Sequence, residues 1–302
     1  MFKYIKSLIW QITNSIIKIF LELFVINKRV RRIMKGDFCK FYLRKYLKKA
    51  SKENVVPESN SNEYVIWQFW EQGLENAPQI VRACLDSVAK YNPDIKRIIL
   101  TKENIKEYVD IPDYIWVLKE KNVIKSAHFS DILRTYLLLQ HGGCWIDATV
   151  LMTAPLPEYV KNADLFVLKA DENADLDGLN MASYFISAKP NNKILQQTSK
   201  MLEYYWKENN FLVNYFMFLH AFTMVAKRNT QEWDNVPFFS FIPVQRMQAE
   251  LLRPYNKERF EQFKTMSFIH KLTYKNKVMT KNKNFEIKDT LLEVIIEGKI
   301  YD

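Results

Sequence analysis

Asp147 is the residue whose chemistry most needs explaining. It stands in Cys144-Trp145-Ile146-Asp147-Ala148-Thr149-Val150-Leu151, a β-branched and aromatic run that predicts a strand carrying a buried carboxylate. Between Trp145, Ile146 and Val150 an ionised carboxylate costs several kcal/mol to bury unless a cation or several donors answer it. Two partners would serve. One is a basic side chain such as Arg134; the other is a divalent metal bound at a strand end beside an anionic ligand. Upstream, Phe129, Ile132, Leu133, Tyr136 and Leu137 recur at helical spacing, so that face packs on a core. Asp131 and Arg134 then share the opposite face, where they form either a surface ion pair or part of a binding site.

The elements that must position these residues follow from the same kind of pattern. Gly142-Gly143 stops the helix, because glycine tolerates the positive φ of a C-terminal cap. Residues 64–70 and 95–100 read as strands, and Pro78 opens a helix that runs to about Tyr91. With a further short helix over 102–108, the order is that of an α/β protein whose sheet is covered by helices. Ligands are then expected at the carboxyl ends of the strands. The six glycines build neither a dinucleotide fingerprint, a phosphate-cradling P-loop nor a G-x-S-x-G elbow, which removes those three function classes.

Charge is distributed unevenly. The chain of 302 residues carries a net charge of +10. Residues 1–50 hold thirteen Lys and Arg against Glu22 and Asp37, or +11, so the remainder is close to neutral. A nucleic-acid partner is therefore not expected: the excess is confined to one end and no recognition module accompanies it. In residues 2–26, Lys3, Ser7, Gln11, Asn14, Lys18 and Glu22 draw one polar stripe along an apolar helix, which suits an in-plane interfacial helix. Residues 27–50 form a second, strongly basic amphipathic stretch suited to an anionic membrane surface. The other reading is that both helices pack on the body or on a partner subunit. Residues 51–63, with Pro57 and a Ser/Asn run, read as a linker. Cys39, Cys84 and Cys144 are scattered, with no zinc spacing and no disulfide framework, as a reducing cytoplasm allows.

Ser130-Asp131-Ile132-Leu133-Arg134, Gly142-Gly143 and Trp145-Ile146-Asp147-Ala148-Thr149 together resemble the signature of sugar-nucleotide glycosyltransferases with a DxD motif. The group is the family 32-like one that includes polymannosyl transferases and capsular polysaccharide synthesis proteins. Thr149 stands where the second Asp would be, and a hydroxyl is a weaker ligand for a hard cation than a carboxylate. The resemblance implies a GT-A-type nucleotide-sugar-binding fold over residues 64–275, with a mostly parallel central sheet. Residues 1–50 would be a membrane-associating helical arm and residues 276–302 a C-terminal extension. It implies Asp131, Arg134 and Asp147 as catalytic residues. Gln68, Trp70, Ser130, Trp145 and Lys271 join Asp131 and Arg134 as donor-binding residues, Trp70 against the base. Asp147, Thr149 and His270 would hold Mn2+ or Mg2+. The expected reaction is transfer with retention of configuration from a UDP- or GDP-sugar to a glycan or lipid-linked glycan acceptor at the cytoplasmic face of the cell membrane. The alternative is a non-catalytic sugar-nucleotide binder or scaffold within a glycan-assembly complex.

Overall fold

The computed structural model describes residues 2–52, 63–171, 178–275 and 286–301. Most of the expected linker, residues 53–62, lies outside the described residues, as do residues 276–285 of the expected extension. In chain order the helices are α1 (Phe2–Phe24), α2 (Lys28–Ala50), α3 (Gln79–Tyr91), α4 (Ile105–Tyr108), α5 (Asp113–Glu120), α6 (Ser126–Gln140), α7 (Glu158–Asn162), α8 (Lys193–Glu208) and α9 (Met217–Arg228). The strands are β1 (Val65–Phe69), β2 (Lys96–Leu100), β3 (Gly143–Ile146), β4 (Val150–Met152), β5 (Leu165–Lys169), β6 (Met181–Ala188) and β7 (Ile269–Lys271).

Five strands form the central sheet in the order β2-β1-β3-β6-β5. β1 is parallel to β2 and β3, whereas β6 is antiparallel to both β3 and β5. Four strands thus share a direction and β6 alone opposes them, which is how the expected mostly parallel sheet is realised. β1 is buried along its whole length, because helices cover both faces. Strand alternation sends Trp67, Trp145 and Ile186 into the core under α6, α8 and α9. Ile66, Cys144, Ile146 and Phe185 enter the opposite core.

Gly142-Gly143 does more than end α6. Gly143 has φ +90°, and a Cβ there would lie 2.1 Å from the Val65 carbonyl oxygen, so only glycine lets β3 start against β1. The carbonyl of Gly142 accepts from the Trp67 indole at 2.9 Å, which explains Trp67 as a core residue. The strand expected over 144–151 is broken in the middle. β3 ends at Ile146, the Asp147 amide makes the last rung to the Tyr184 carbonyl at 2.9 Å, and the chain turns before β4. Asp147 is therefore at a strand tip rather than within a strand. β4 pairs antiparallel with β7, setting Val150 opposite Lys271 and Leu151 opposite His270.

The two N-terminal helices behave differently from one another. α2 docks on α8 and α9 and buries Cys39, Leu43, Tyr46 and Ala50 in the main core. Tyr42 donates to Asn209 at 2.9 Å, Asn209 donates to Tyr46 at 2.8 Å, and Lys45 pairs with Glu208 at 2.8 Å. Residues 28–50 are thus part of the body, not of a separate arm. α1 buries little beyond Trp10, stacked on Phe38 and Phe211, and Leu21. The helix Leu291–Ile296 packs on α3, so this part of the expected extension also belongs to the body.

Removing residues 1–26 is accordingly expected to leave a chain that unfolds cooperatively. Removing residues 1–50 strips several large core side chains, each worth about 2–5 kcal/mol, and is expected to abolish the transition in circular-dichroism melts. A sharp melt from the shorter chain would contradict the packing of α2.

Candidate active site

A cavity of about 460 Å3 opens at the carboxyl ends of β1 and β3. Its floor is the tip of β3, one wall is the exposed edge of α6, and the rim comes from the segment that follows β7. Asp147 occupies the floor. Its Oδ1 accepts from the Trp145 indole at 2.8 Å and faces Arg134 Nη2 at 3.5 Å; its Oδ2 faces Lys271 Nζ at 3.2 Å. Burial alone would raise this carboxyl, but the charges of Lys271 and Arg134 with the Trp145 hydrogen bond outweigh it and hold it below the ordinary range.

Arg134 is anchored on every side. It donates to the Ser130 carbonyl at 3.2 Å, the Ser130 hydroxyl at 3.0 Å and the Ser183 carbonyl at 2.6 Å, and it pairs with Asp131 at 3.3 Å. Its guanidinium also lies over the Trp145 ring, 5.1 Å from the centroid. Of the two readings of Asp131 and Arg134, the surface ion pair gives way to a buried pair lining the cavity. Arg134 is 4 % exposed, because Ser183 of β6 and Phe218 of α9 lie against its guanidinium. Ser130, Asp131, Arg134, Trp145, Asp147 and Lys271 converge as the sequence suggests, and Trp70 joins them at the rim, edge-on to Tyr274 at 5.4 Å.

Two expected site residues turn away. His270 is fully buried, with Nε2 3.2 Å from the Thr153 hydroxyl, and burial pushes its pKa down to about 4. The reason is strand parity: Lys271 faces the cavity, so its neighbour in β7 must face the opposite side. Gln68 is likewise fully buried in β1 and does not line the cavity. Residues that sequence reasoning missed include His128, Glu71, Ser183, Tyr274 and Lys275. Tyr274 and Lys275 carried a usable signal, since they lie within four positions of Lys271.

The donor set does not fit a divalent metal. Lys271 Nζ lies against both Asp147 Oδ2 and the Thr149 hydroxyl, so the two expected ligands share one ammonium, and the third, His270, faces elsewhere. Among the described residues no group of three His, Cys, Asp or Glu side chains could hold an ion. Mg2+-like cations need only one or two carboxylates beside water and substrate phosphates, but the carboxylate at the tip of β3 is already answered by two cations.

A family model described as capsular polysaccharide synthesis protein matches residues 22–292. A curated relative, the glycosyltransferase afumC of Aspergillus fumigatus, is 25% identical over 116 residues, covering 35% of this chain and 30% of the relative. The chain thus matches under a third of that relative's length. Among solved structures, the PaToxG glycosyltransferase is 18% identical, covering 68% of this chain and 86% of that one, with a TM-score of 0.36. The galactosyltransferase LgtC, solved with donor and acceptor sugar analogs, is 9% identical over 78% of this chain and 95% of that one, with a TM-score of 0.38. GlyE of Streptococcus pneumoniae is 11% identical over 80% of this chain and 64% of that one, also at 0.38.

Because the folded-state carboxyl of Asp147 lies low, its stabilising contribution is present above the unfolded value near pH ~4 and is lost as pH falls through the folded one. Asp147→Asn leaves two cations facing a neutral amide, and at pH 7 is expected to cost about 3 kcal/mol. Urea denaturation should show that deficit narrowing below about pH 4. An equal deficit at both pH values would mean the ion pairs do not stabilise the fold.

Proposed function

Because the chain belongs to the capsular polysaccharide synthesis family, we propose that it is a glycosyltransferase that moves a sugar from a nucleotide donor to a surface glycan. The observation that carries the reading is the floor of the cavity, where one carboxylate holds a guanidinium and an ammonium in fixed positions at strand ends. Such cations are what a departing nucleoside diphosphate requires. As the glycosidic bond breaks, charge grows on the leaving phosphate oxygens, and oriented cations in a water-poor cleft stabilise it most. Lys271 and Arg134 take that role, with Lys275 at the rim. Trp70 and Tyr274 form an aromatic notch for the base, and Asp131 and Asp147 accept from sugar hydroxyls. Lys271 fills the place between Asp147 and Thr149 that a metal would take, so the cations themselves carry this role.

Retention of configuration belongs to this reading. Among the described residues of the cavity, Glu71 pairs with Lys119 at 2.6 Å, Asp131 with Arg134 at 3.3 Å and Asp147 with Lys271 at 3.2 Å. A carboxylate held by a cation is a weak base, so none of these three carboxylates serves as a dedicated base for the acceptor. We further place the protein on the inner face of the cell membrane, a reading supported by the basic N-terminal residues and by the apolar outer face of α1. The filling of the Asp147–Thr149 gap by Lys271 also supports a second reading, a binder of sugar nucleotides that does not turn them over.

One experiment separates the two. Release of nucleoside diphosphate from a panel of UDP- and GDP-sugars is expected to persist in EDTA and to fall about 10²–10³-fold in Lys271→Met. Donor binding by calorimetry without release would favour the binder. Absence of both binding and release across the panel would remove the transferase reading.

A further inference from the structure

The turn between β3 and β4 sets a hydroxyl beside the cation of the cavity floor. The Val150 amide donates to the Asp147 carbonyl at 2.9 Å and closes the turn over four residues. Asp147 and Thr149 both line the cavity, while Ala148 between them packs in the core under α3. Thr149 also holds the chain that carries Lys271. Its carbonyl accepts from the Leu272 amide at 2.8 Å, and its neighbour Val150 is the ladder partner of Lys271. The Lys271 ammonium donates to the Thr149 hydroxyl and to Asp147 Oδ2, and it stands 5.4 Å from the centroid of the Tyr184 ring.

Two donors of this pair are left for a ligand. Lysine has three N–H donors and no acceptor, so the Thr149 oxygen must accept and keeps its own proton to give. Thr149 is only 8 % exposed, and a buried hydroxyl ordinarily donates within the protein. Other buried threonines do so. Thr135 donates to the Asp131 carbonyl at 2.6 Å, Thr153 to the Ser267 carbonyl at 3.2 Å, Thr198 to the Ile194 carbonyl at 2.7 Å and Thr223 to the Asn180 side chain at 2.8 Å. Among the described residues no acceptor takes the proton of Thr149. The third ammonium hydrogen of Lys271 has none either, the other two going to Asp147 and Thr149.

This is not how a metal ligand is used. A threonine that binds a metal gives it an oxygen lone pair, whereas here that lone pair receives an ammonium hydrogen and the hydroxyl is turned into a donor. An O–H whose oxygen accepts from a cation is a stronger donor, because hydrogen bonds in a chain polarise one another. Two adjoining donors, one charged and one polarised, are complementary to a phosphate, whose oxygens form the stronger, charge-assisted bonds.

We propose that Thr149 is a catalytic residue whose hydroxyl, backed by Lys271, donates to the β-phosphate of the donor nucleotide. The proposal rests on the transferase reading and adds a residue to its leaving-group site. As the bond between the anomeric carbon and the diphosphate oxygen breaks, its electron pair stays on the diphosphate. The Thr149 O–H and the third Lys271 N–H bond to the β-phosphate oxygens that share this charge. Thr149 transfers no proton and ends the reaction unchanged.

Calorimetry on the full chain in EDTA, with UDP, GDP, UMP and GMP as probes, tests this. Thr149→Val keeps the branched shape and removes the hydroxyl; it is expected to weaken whichever diphosphate binds about 10-fold and to leave the matching monophosphate unchanged. Thr149→Ser should restore the diphosphate affinity. Added to Lys271→Met, Thr149→Val should cost little more, since hydroxyl and ammonium act together. Thr149→Asp is expected to pair with Lys271, turn a carboxylate toward the phosphate and weaken the diphosphate further. If Thr149→Asp instead takes up Mn2+ and then binds the diphosphate more tightly than the wild type, position 149 is a metal position and the assignment falls. Equal losses for diphosphate and monophosphate, or no loss in Thr149→Val, would also overturn it. Wild-type nucleotide binding that ignores Thr149→Val sinks the hydroxyl alone, whereas a wild type that binds none of the four nucleotides sinks the transferase reading with it.

Discussion

The site depends on compensating one carboxylate. Asp147 sits at the tip of a strand among Trp145, Ile146 and Val150, where an unanswered charge would be costly. Its two cations come from distant parts of the chain. Arg134 arrives through α6, which must reverse at Gly142-Gly143 so that helix and strand lie side by side. Lys271 arrives through β7, paired to β4 more than a hundred residues earlier in sequence. Trp145 serves both ends, its ring under the guanidinium and its indole nitrogen on the carboxylate. Loss of the β4–β7 pairing would therefore take away the ammonium as well as two short strands.

Much of this was legible in the sequence, and the exceptions have physical causes. The helix, the glycine pair and the strand follow from periodicity and backbone freedom, which are local properties. A helical wheel knows only its own core face, so it left open whether Arg134 is exposed; Ser183 of β6 and Phe218 of α9 cover it. The resemblance implies Gln68 and His270 as site residues, yet His270 adjoins Lys271 in a strand, where neighbours face opposite ways, and Gln68 is fully buried within β1. β7 is three residues long, too short for alternation to announce itself. In α2, Cys39, Leu43, Tyr46 and Ala50 recur at helical spacing and were readable as a core stripe, but the dense Lys and Arg around them drew attention to a membrane.

Basic residues in the N-terminal region thus serve two ends. Those of α2 ride on a helix that commits Cys39, Leu43, Tyr46 and Ala50 to the body, with Lys45 paired to Glu208. α1 instead spends few side chains on the body and leaves a broad apolar face uncovered. The family match begins at residue 22, near the junction of the two helices, which agrees with α2 being integral. α1 is thus tied to the body chiefly through Trp10 and Leu21.

The counting of charge at the floor explains why the cations can work in the absence of a fitted metal. Asp131 and Asp147 balance Arg134 and Lys271, so the set folds as a neutral cluster and neither cation is buried alone. That neutrality also fixes geometry, since each cation is held by at least one hydrogen bond besides its ion pair: Ser130 and Ser183 for Arg134, Thr149 for Lys271. Under the proposed transferase reading, a diphosphate approaching this cluster would meet donors already oriented and stripped of much of their water. It adds negative charge to a balanced set, so binding in the ground state is modest while the growing charge on the leaving oxygens draws most from cations already in position. In the same reading Lys275, on the rim and outside the neutral set, would supply the charge that first attracts the donor.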